Sequence, residues 1–319
     1  MTNLKLYPMK MIPAAHTAVW GGDRLKRIYN KKAPFDRIAE SWELSARSEG
    51  ESIIENGSFA GMCFGRFLEN VYGKSDFPLL IKFIDSAAPL SIQVHPADIA
   101  DGAEPKTEMW YIIDAAPEAR IVYGLRDGVS LAEFAECCKR GGNAIEDLLN
   151  FVPVRPGDTV FIPAGQIHSI GAGILLAEIQ QNSDTTYRLY DYGRVDAEGH
   201  TRQLHIEKGL AAARIYSESE IYGKRFSASQ VPFCESIDGG ELLADCEFFR
   251  VIKHTGETAF ARSPNFTALL CIEGCAKLIC KGTEYPVCAG DTYFIPPHCE
   301  DTLLTSGAEL ISAAASLQN

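Results

Sequence analysis

The sequence predicts a mainly β protein with helical insertions, organised as two barrel-type (jelly-roll) domains. Three observations carry that prediction: short apolar segments recur between glycines, one nine-residue stretch occurs twice, and capped helical stretches interrupt the β pattern. Leu79–Ile84, Leu90–Val94, Met109–Ile113, Ile174–Ile179, Ala268–Ile272 and Lys277–Cys280 read as strands, with Gly124, Gly157, Gly171, Gly274 and Gly290 marking turns among them. Short strands with turn signals between them are the pattern of a sandwich or barrel.

The repeat pairs Val154–Ile162 (VRPGDTVFI, then Pro163) with Val287–Ile295 (VCAGDTYFI, then Pro296), 133 residues further on. Each copy has a Gly-Asp turn signal, a short alternating strand and a proline that ends it. Copies so far apart indicate two related domains rather than a solenoid. Residues 1–235 are expected to form the first, with helical insertions at about 130–150 and 205–216, and 236–319 the second. Ser130-Leu-Ala-Glu133 is a capping box, and the residues after it put Leu131, Phe134, Ala135 and Cys138 on one helical face. Gly141-Gly142 breaks this helix, Asn143 is placed to cap a second through Leu149, and a further helical stretch runs from Ile206 to Ile215.

Composition narrows the class. The chain has 319 residues, 46% hydrophobic and 23% charged, as ordinary globular proteins do. Met1–Trp20 interrupts its apolar residues with Lys5, Pro8, Lys10, Pro13 and His16, so it is not built as a signal peptide. No apolar run reaches membrane-spanning length, and a cytoplasmic location is expected. A net charge of −12 argues against nucleic acid and anionic membranes as partners, and a monomer or homodimer is expected. An anionic substrate would then require a local basic cluster. The 10 cysteines show no CxxC spacing, and reduced thiols acting as small buried hydrophobes are the expectation.

Ser91-Ile-Gln93-Val-His95-Pro96 puts Gln93 and His95 two apart on a strand, hence on one face, with Ile92 and Val94 packing on the other. Glu108 leads into the next strand, where an inward carboxylate needs a counter-charge of the kind a metal ion supplies. Gly157-x5-Pro163-x-Gly165-x2-His168 resembles, position for position, the second metal motif of the cupin superfamily, in which the bend after the strand sends the histidine inwards. Gln93, His95, Glu108 and His168 make a mixed N/O set suited to one zinc ion, and manganese, iron or cobalt would also fit. In the second copy the position matching His168 is Asp301, and Phe260–Gly274 has no H-x-H or Q-x-H. That copy is expected to keep the barrel without the ligands. His16, His200 and His254 lack partner spacing and are expected at the surface, and His205 is expected to serve as a structural or capping residue.

Four segments carry a resemblance to the type I mannose-6-phosphate isomerases of the cupin superfamily, in their short bacterial form. They are PLSIQVHPAD (Pro89–Asp98), KTEMWYI (Lys106–Ile112), FIPAGQIHSIGAG (Phe161–Gly173) and EIQQNSDTTYRLYDYGR (Glu178–Arg194). The resemblance implies two cupin-type barrels, a catalytic zinc on Gln93, His95, Glu108 and His168, and a catalytic role for Arg188. It also implies interconversion of mannose 6-phosphate and fructose 6-phosphate through a cis-enediol. Developing enediolate oxygens need fixed positive charge. Lys106, two residues before Glu108, is expected in the same cavity, and Lys82, Lys106 and Arg188 together would form the basic patch that binds substrate. For the base, a metal-bound water, Lys106 and His95 all remain open. Two other classes compete: a non-haem iron cupin oxygenase, which Gln93 opposes by filling a site oxygen would need, and a non-catalytic sugar-binding cupin.

Overall fold

In a computed structural model of the chain, which describes residues 5–99, 102–195, 198–216, 235–237 and 239–316, antiparallel strands dominate. No described helix is long and apolar enough to cross a membrane. Contacts group the chain into two compact units: Met1–His16, Asp23–Phe83 and Cys234–Asn319 form one, Thr17–Gly22 and Ile84–Phe233 the other. This differs from a single cut at residue 235. The N-terminal segments pair with the C-terminal strands, so each unit is described by itself.

The unit built on Ile84–Phe233 has a five-stranded sheet in the order Tyr187–Tyr190, Ile92–Val94, His168–Ser169, Arg120–Leu125, Leu149–Pro153. A second layer pairs Thr159–Ile162 with Glu108–Ala115, and that strand with Ile174–Gln181. Among the described residues the ladders do not close into a ring; two layers face each other, the jelly-roll form of the expected barrel. The helical insertions explain which face is which. Helix Leu131–Arg140, the 3-10 turn Asn143–Leu148 and helix Ile206–Ala212 bring Phe134, Cys137, Cys138, Ile145 and Leu210 against Ile92, Val94, Val122 and Leu189. That packing buries one face of the five-stranded sheet under apolar side chains and leaves Gln93 and His95 to point the other way.

The Ser130 half of the capping box forms: Ser130 Oγ accepts from the Glu133 N–H at 3.1 Å. Asn143 does not cap. Gly142 holds the position before the 3-10 turn, and the Asn143 amide oxygen accepts from the Tyr190 hydroxyl at 3.0 Å. Helix Ile206–Ala212 is shorter than the stretch to Ile215, ending where Ala213 turns extended.

In the other unit the main strand order is Glu235–Ile237, Gly240–Asp245, Phe249–His254, Ala308–Ala315, Thr267–Cys280, Thr292–Ile295, Met9–Ile12, Ile53–Ile54. Ala268–Ile272 and Lys277–Cys280 are one strand of 14 residues, not two. A bulge between Cys271 and Glu273 bends it, and Gly274, at φ +76°, continues the chain where a side chain would be strained. Its second half pairs with Thr283–Cys288 and Thr302–Leu304. Cys275 and Cys288 face each other across this hairpin and are disulfide-bonded, which corrects the expectation of reduced thiols throughout. Cys137, Cys138, Cys271, Cys280 and Cys299 are free and buried as expected, and Cys234 lies outside the described residues. His254 is buried rather than exposed, bonded to the Gly239 carbonyl at 2.7 Å and Ser312 Oγ at 2.8 Å.

The sequence repeat is a repeat of hydrogen bonds. Asp158 Oδ2 accepts from the Arg155 N–H at 2.8 Å, and Asp291 Oδ2 from the Cys288 N–H at 2.9 Å. Gly157 N–H donates to the Ile112 carbonyl and Gly290 N–H to the Cys271 carbonyl, each at 2.8 Å. Four buried residues follow in each copy, Thr159–Ile162 and Thr292–Ile295.

Candidate functional site

Lateral pairing assembles the site. Across the five-stranded sheet Arg188 stands opposite Gln93, and Gln93 opposite His168, so their side chains share a row on one face. His95 follows two residues after Gln93 on that face. In the facing layer Glu108 pairs with Ile162 and with Gln180, and Trp110 pairs with Glu178, which puts Glu108, Trp110, Glu178 and Gln180 on one face. The two faces meet at the metal-ligand candidates. Glu108 Oε2 lies 3.5 Å from His95 Nε2, and its Oε1 lies 3.5 Å from His168 Nε2. Among the described residues, His95, Glu108 and His168 are the group whose ligand atoms gather, all within 4.8 Å of one another, and all three are buried.

Backbone carbonyls orient both imidazoles. His95 Nδ1 donates to the Thr185 carbonyl at 2.9 Å, and His168 Nδ1 to the Gln166 carbonyl at 2.8 Å. A proton fixed on Nδ1 leaves the Nε2 lone pair directed at Glu108, the tautomer a metal ligand needs. Gln93 joins through its amide, donating from Nε2 to His168 Nε2 at 3.3 Å and accepting from Ser91 Oγ at 3.2 Å. Rotating that amide by half a turn presents its oxygen to the same point.

Burial lowers the His95 pKa to about 3, helped by the Lys106 charge, and burial lowers that of His168 also. For Glu108 burial alone would raise it, but Lys106 and the two imidazoles hold the carboxyl well below its ordinary value. The result is two neutral imidazoles around a carboxylate. His95 Nε2 and both Glu108 oxygens are buried without a hydrogen-bond partner. Lys106 Nζ stands 2.8 Å from Glu108 Oε2, a buried ion pair. A buried polar atom without a hydrogen bond, as His95 Nε2 and Glu108 Oε1 are, costs about 1–3 kcal/mol, a cost one bound cation at their meeting point would offset. The residues present therefore fit a divalent metal.

Lys106, expected in the same cavity as Glu108, stands beside that carboxylate and lies 3.7 Å from Glu178 Oε1 as well. Glu178 Oε2 accepts from Trp110 Nε1 at 2.9 Å. In the sequence, Glu178 stands only in the polar alternation Glu178, Gln180, Asn182, Asp184, Thr186, Arg188, which also fits an exposed strand face. Both faces of Ile174–Gln181 are covered, so alternation alone could not locate its inside. Lys82 is placed in the other unit, ion-paired with Glu40 at 3.0 Å and over the Trp42 ring at 4.9 Å. Asp301, the counterpart of His168, is exposed, and its Oδ1 accepts from the Arg262 N–H at 2.7 Å. Through the matching ladders Thr267 takes the place of Glu108 and Ser312 that of Glu178. Leu269, Tyr293, Leu278 and Leu310 fill that interior instead. Among the described residues, the second jelly roll has no counterparts of His95, Glu108 and His168 and packs apolar side chains in their place.

Comparisons with known proteins give a consistent family. A family model of the phosphomannose isomerase type I catalytic domain matches residues 9–136, and one of the mannose-6-phosphate isomerase cupin domain matches 240–314. The chain is 34% identical to the mannose-6-phosphate isomerase ManA of Bacillus subtilis, over 95% of this chain and 98% of that one. It is 31% identical to a mannose-6-phosphate isomerase of Streptococcus mutans, over 96% and 98%. The crystal structure of a Bacillus subtilis mannose 6-phosphate isomerase superposes with a TM-score of 0.85 at 31% identity, covering 96% of this chain and 99% of that chain.

Proposed function

The chain belongs to the type I mannose-6-phosphate isomerase family and is an aldose–ketose isomerase of mannose 6-phosphate and fructose 6-phosphate, and we propose that its reaction runs at the Gln93, His95, Glu108, His168 cluster around one divalent metal, preferentially zinc. The observation that carries this reading is the gathering of the buried ligand atoms of His95, Glu108 and His168 within 4.8 Å of one another, with no hydrogen bond to His95 Nε2 or to either Glu108 oxygen. Two imidazole nitrogens, a carboxylate and an amide oxygen favour zinc with a position open to substrate. When bound, the ion supplies positive charge to the oxygens of the reacting carbons.

The reaction moves the C2 proton of the open-chain aldose to C1 and the proton on O2 to O1, through a cis-enediol. Charge develops on O1 and O2, and preorganised cations stabilise it without reorganising. We assign Lys106 and Arg188 to that task and to binding the sugar phosphate. Lys106 is held between Glu108 and Glu178, which keeps its ammonium directed at the cluster. Between two carboxylates it is suited to stay charged, which favours an electrostatic role over that of the base. His95 is unsuited as base too, because its Nδ1 is committed to the Thr185 carbonyl and its Nε2 to the cluster. Arg188, in the row with Gln93 and His168, presents a planar fork suited to a phosphate or an enediolate. Lys82 is already engaged by Glu40 and Trp42, so the proposal assigns it no contact with substrate.

A coupled assay with mannose 6-phosphate tests the site. Turnover should disappear on chelation and return with zinc; full activity after complete metal removal would overturn the metal's role. His168→Ala should lose both bound metal, by elemental analysis, and turnover. Asp301→Ala should lose neither, and equal loss there would mean that the second jelly roll carries a site of its own.

A further inference from the structure

The strand that carries Arg188 lies at the edge of its sheet. Among the described residues, Tyr187–Tyr190 pairs with Ile92–Val94 on one side only, and the ladder slips between Arg188 and Tyr190. Register is weakly specified in an edge strand of this kind, so contacts to its backbone matter for where it lies. His205 supplies what a neighbouring strand would. The Arg188 N–H donates to His205 Nδ1 at 3.3 Å, and the Arg188 carbonyl accepts from the His205 N–H at 2.7 Å. Both main-chain groups of one residue are thus held by one histidine.

From this geometry we propose that His205 is a positioning residue, clamping the Arg188 backbone so that its guanidinium faces the reacting sugar. The proposal rests on the assignment of Arg188 made above. Two features hold His205 in place. Asp191, 5% exposed, accepts from Arg202 Nε at 2.8 Å and contacts Arg194, and a Val195–Thr201 bridge closes the loop between the Arg188 strand and His205. After His205 the helix Ile206–Ala212 lies tight on that strand, because Gly209 has no side chain; a Cβ there would come within 2.6 Å of Leu189 Cδ2 and 3.4 Å of Tyr187 Cβ. Burial, with the Arg188 and Lys208 charges, lowers the His205 pKa, which keeps the Nδ1 lone pair available near neutral pH. The clamp belongs to a segment that spacing rules read only as a helix start.

The test is a double-mutant cycle on the metal-loaded enzyme. Misplacing a substrate-positioning group by about 1 Å costs up to about a hundredfold, so His205→Ala should lower kcat by roughly tenfold or more with metal content intact. His205→Asn, whose side-chain oxygen reaches the Nδ1 position, should recover most of that loss. In an Arg188→Ala background the same His205→Ala change should cost less than about twofold, since residues acting through one group are not additive. An equal fold-loss in both backgrounds, or no recovery with asparagine, overturns the clamp. If Arg188→Ala alone leaves kcat/KM unchanged, the assignment of Arg188 fails, and the clamp has no function to serve.

Discussion

Glu108 shows how far one buried residue can be read from its neighbours. Its strand position and the spacing of Gln93, His95 and His168 were legible, because strand alternation and the bend after Pro163 are local rules. Glu178, the Thr185 and Gln166 carbonyls and the His205 clamp were not, since each depends on what packs opposite. The imidazoles make a pH prediction. Both histidines have folded-state pKa values below the ordinary 6.5, His95 about 3, so the unfolded chain binds protons that the folded one refuses. Their contribution is fully present above about pH 6.5 and is lost as pH falls towards the folded values. Metal-free protein should therefore lose up to about 1.4 kcal/mol of stability per pH unit for each histidine in that window, and His95→Gln should flatten the slope seen in urea titrations. Lys106→Gln should lower kcat by about 10²–10³, in the range of losing one preorganised donor, while elemental analysis still finds the metal. Unchanged kcat would remove Lys106 from the reaction.

Elements were legible where their signals are local. The Ser130 N-cap bond formed as expected, and Ser130→Ala should cost about 1 kcal/mol in urea denaturation with turnover unchanged. Glycine misled at Gly274, taken as a break between strands, because a bulged strand uses the same residue as a turn. Gly171 is a glycine for another reason. A Cβ there would lie 1.8 Å from the Arg120 carbonyl oxygen, backbone that cannot step aside. Gly171→Ala should destabilise by about 3 kcal/mol, the upper range of overpacking, and an unshifted urea midpoint would contradict that close approach. The helices did more than decorate. By covering Ile92, Val94 and Leu189 they decide which face of the sheet is free for chemistry.

At the scale of the chain, the repeat revealed two related halves but not their true membership. Sequence marks a boundary by composition, and nothing in the composition near residue 235 tells that Met9–Ile12 will pair with Thr292–Ile295. The joining contacts are specific. Phe294 packs on Phe64 at 4.9 Å, Phe77 on Phe266 at 4.7 Å, and Lys10 pairs with Asp291 at 2.9 Å. Glu43, fully buried, takes Lys31 at 2.6 Å and the Thr292 hydroxyl at 2.8 Å. A fragment of residues 236–319 lacks every one of these partners. It should show no cooperative thermal transition alone, and a sharp transition would mean that the C-terminal strands suffice.

That interleaving has a consequence in time. The aromatic side chains of Phe64, Phe67 and Phe77 leave the ribosome well before Phe266 and Phe294 exist to cover them. At about 5–20 residues per second, the wait is on the order of ten seconds or more. During it, residues 84–233 can collapse around the candidate metal ligands while an uncovered phenylalanine cluster waits upstream. Newly made chains should thus be most vulnerable to aggregation late in synthesis, when the catalytic half is already in place and its companion is still half-made.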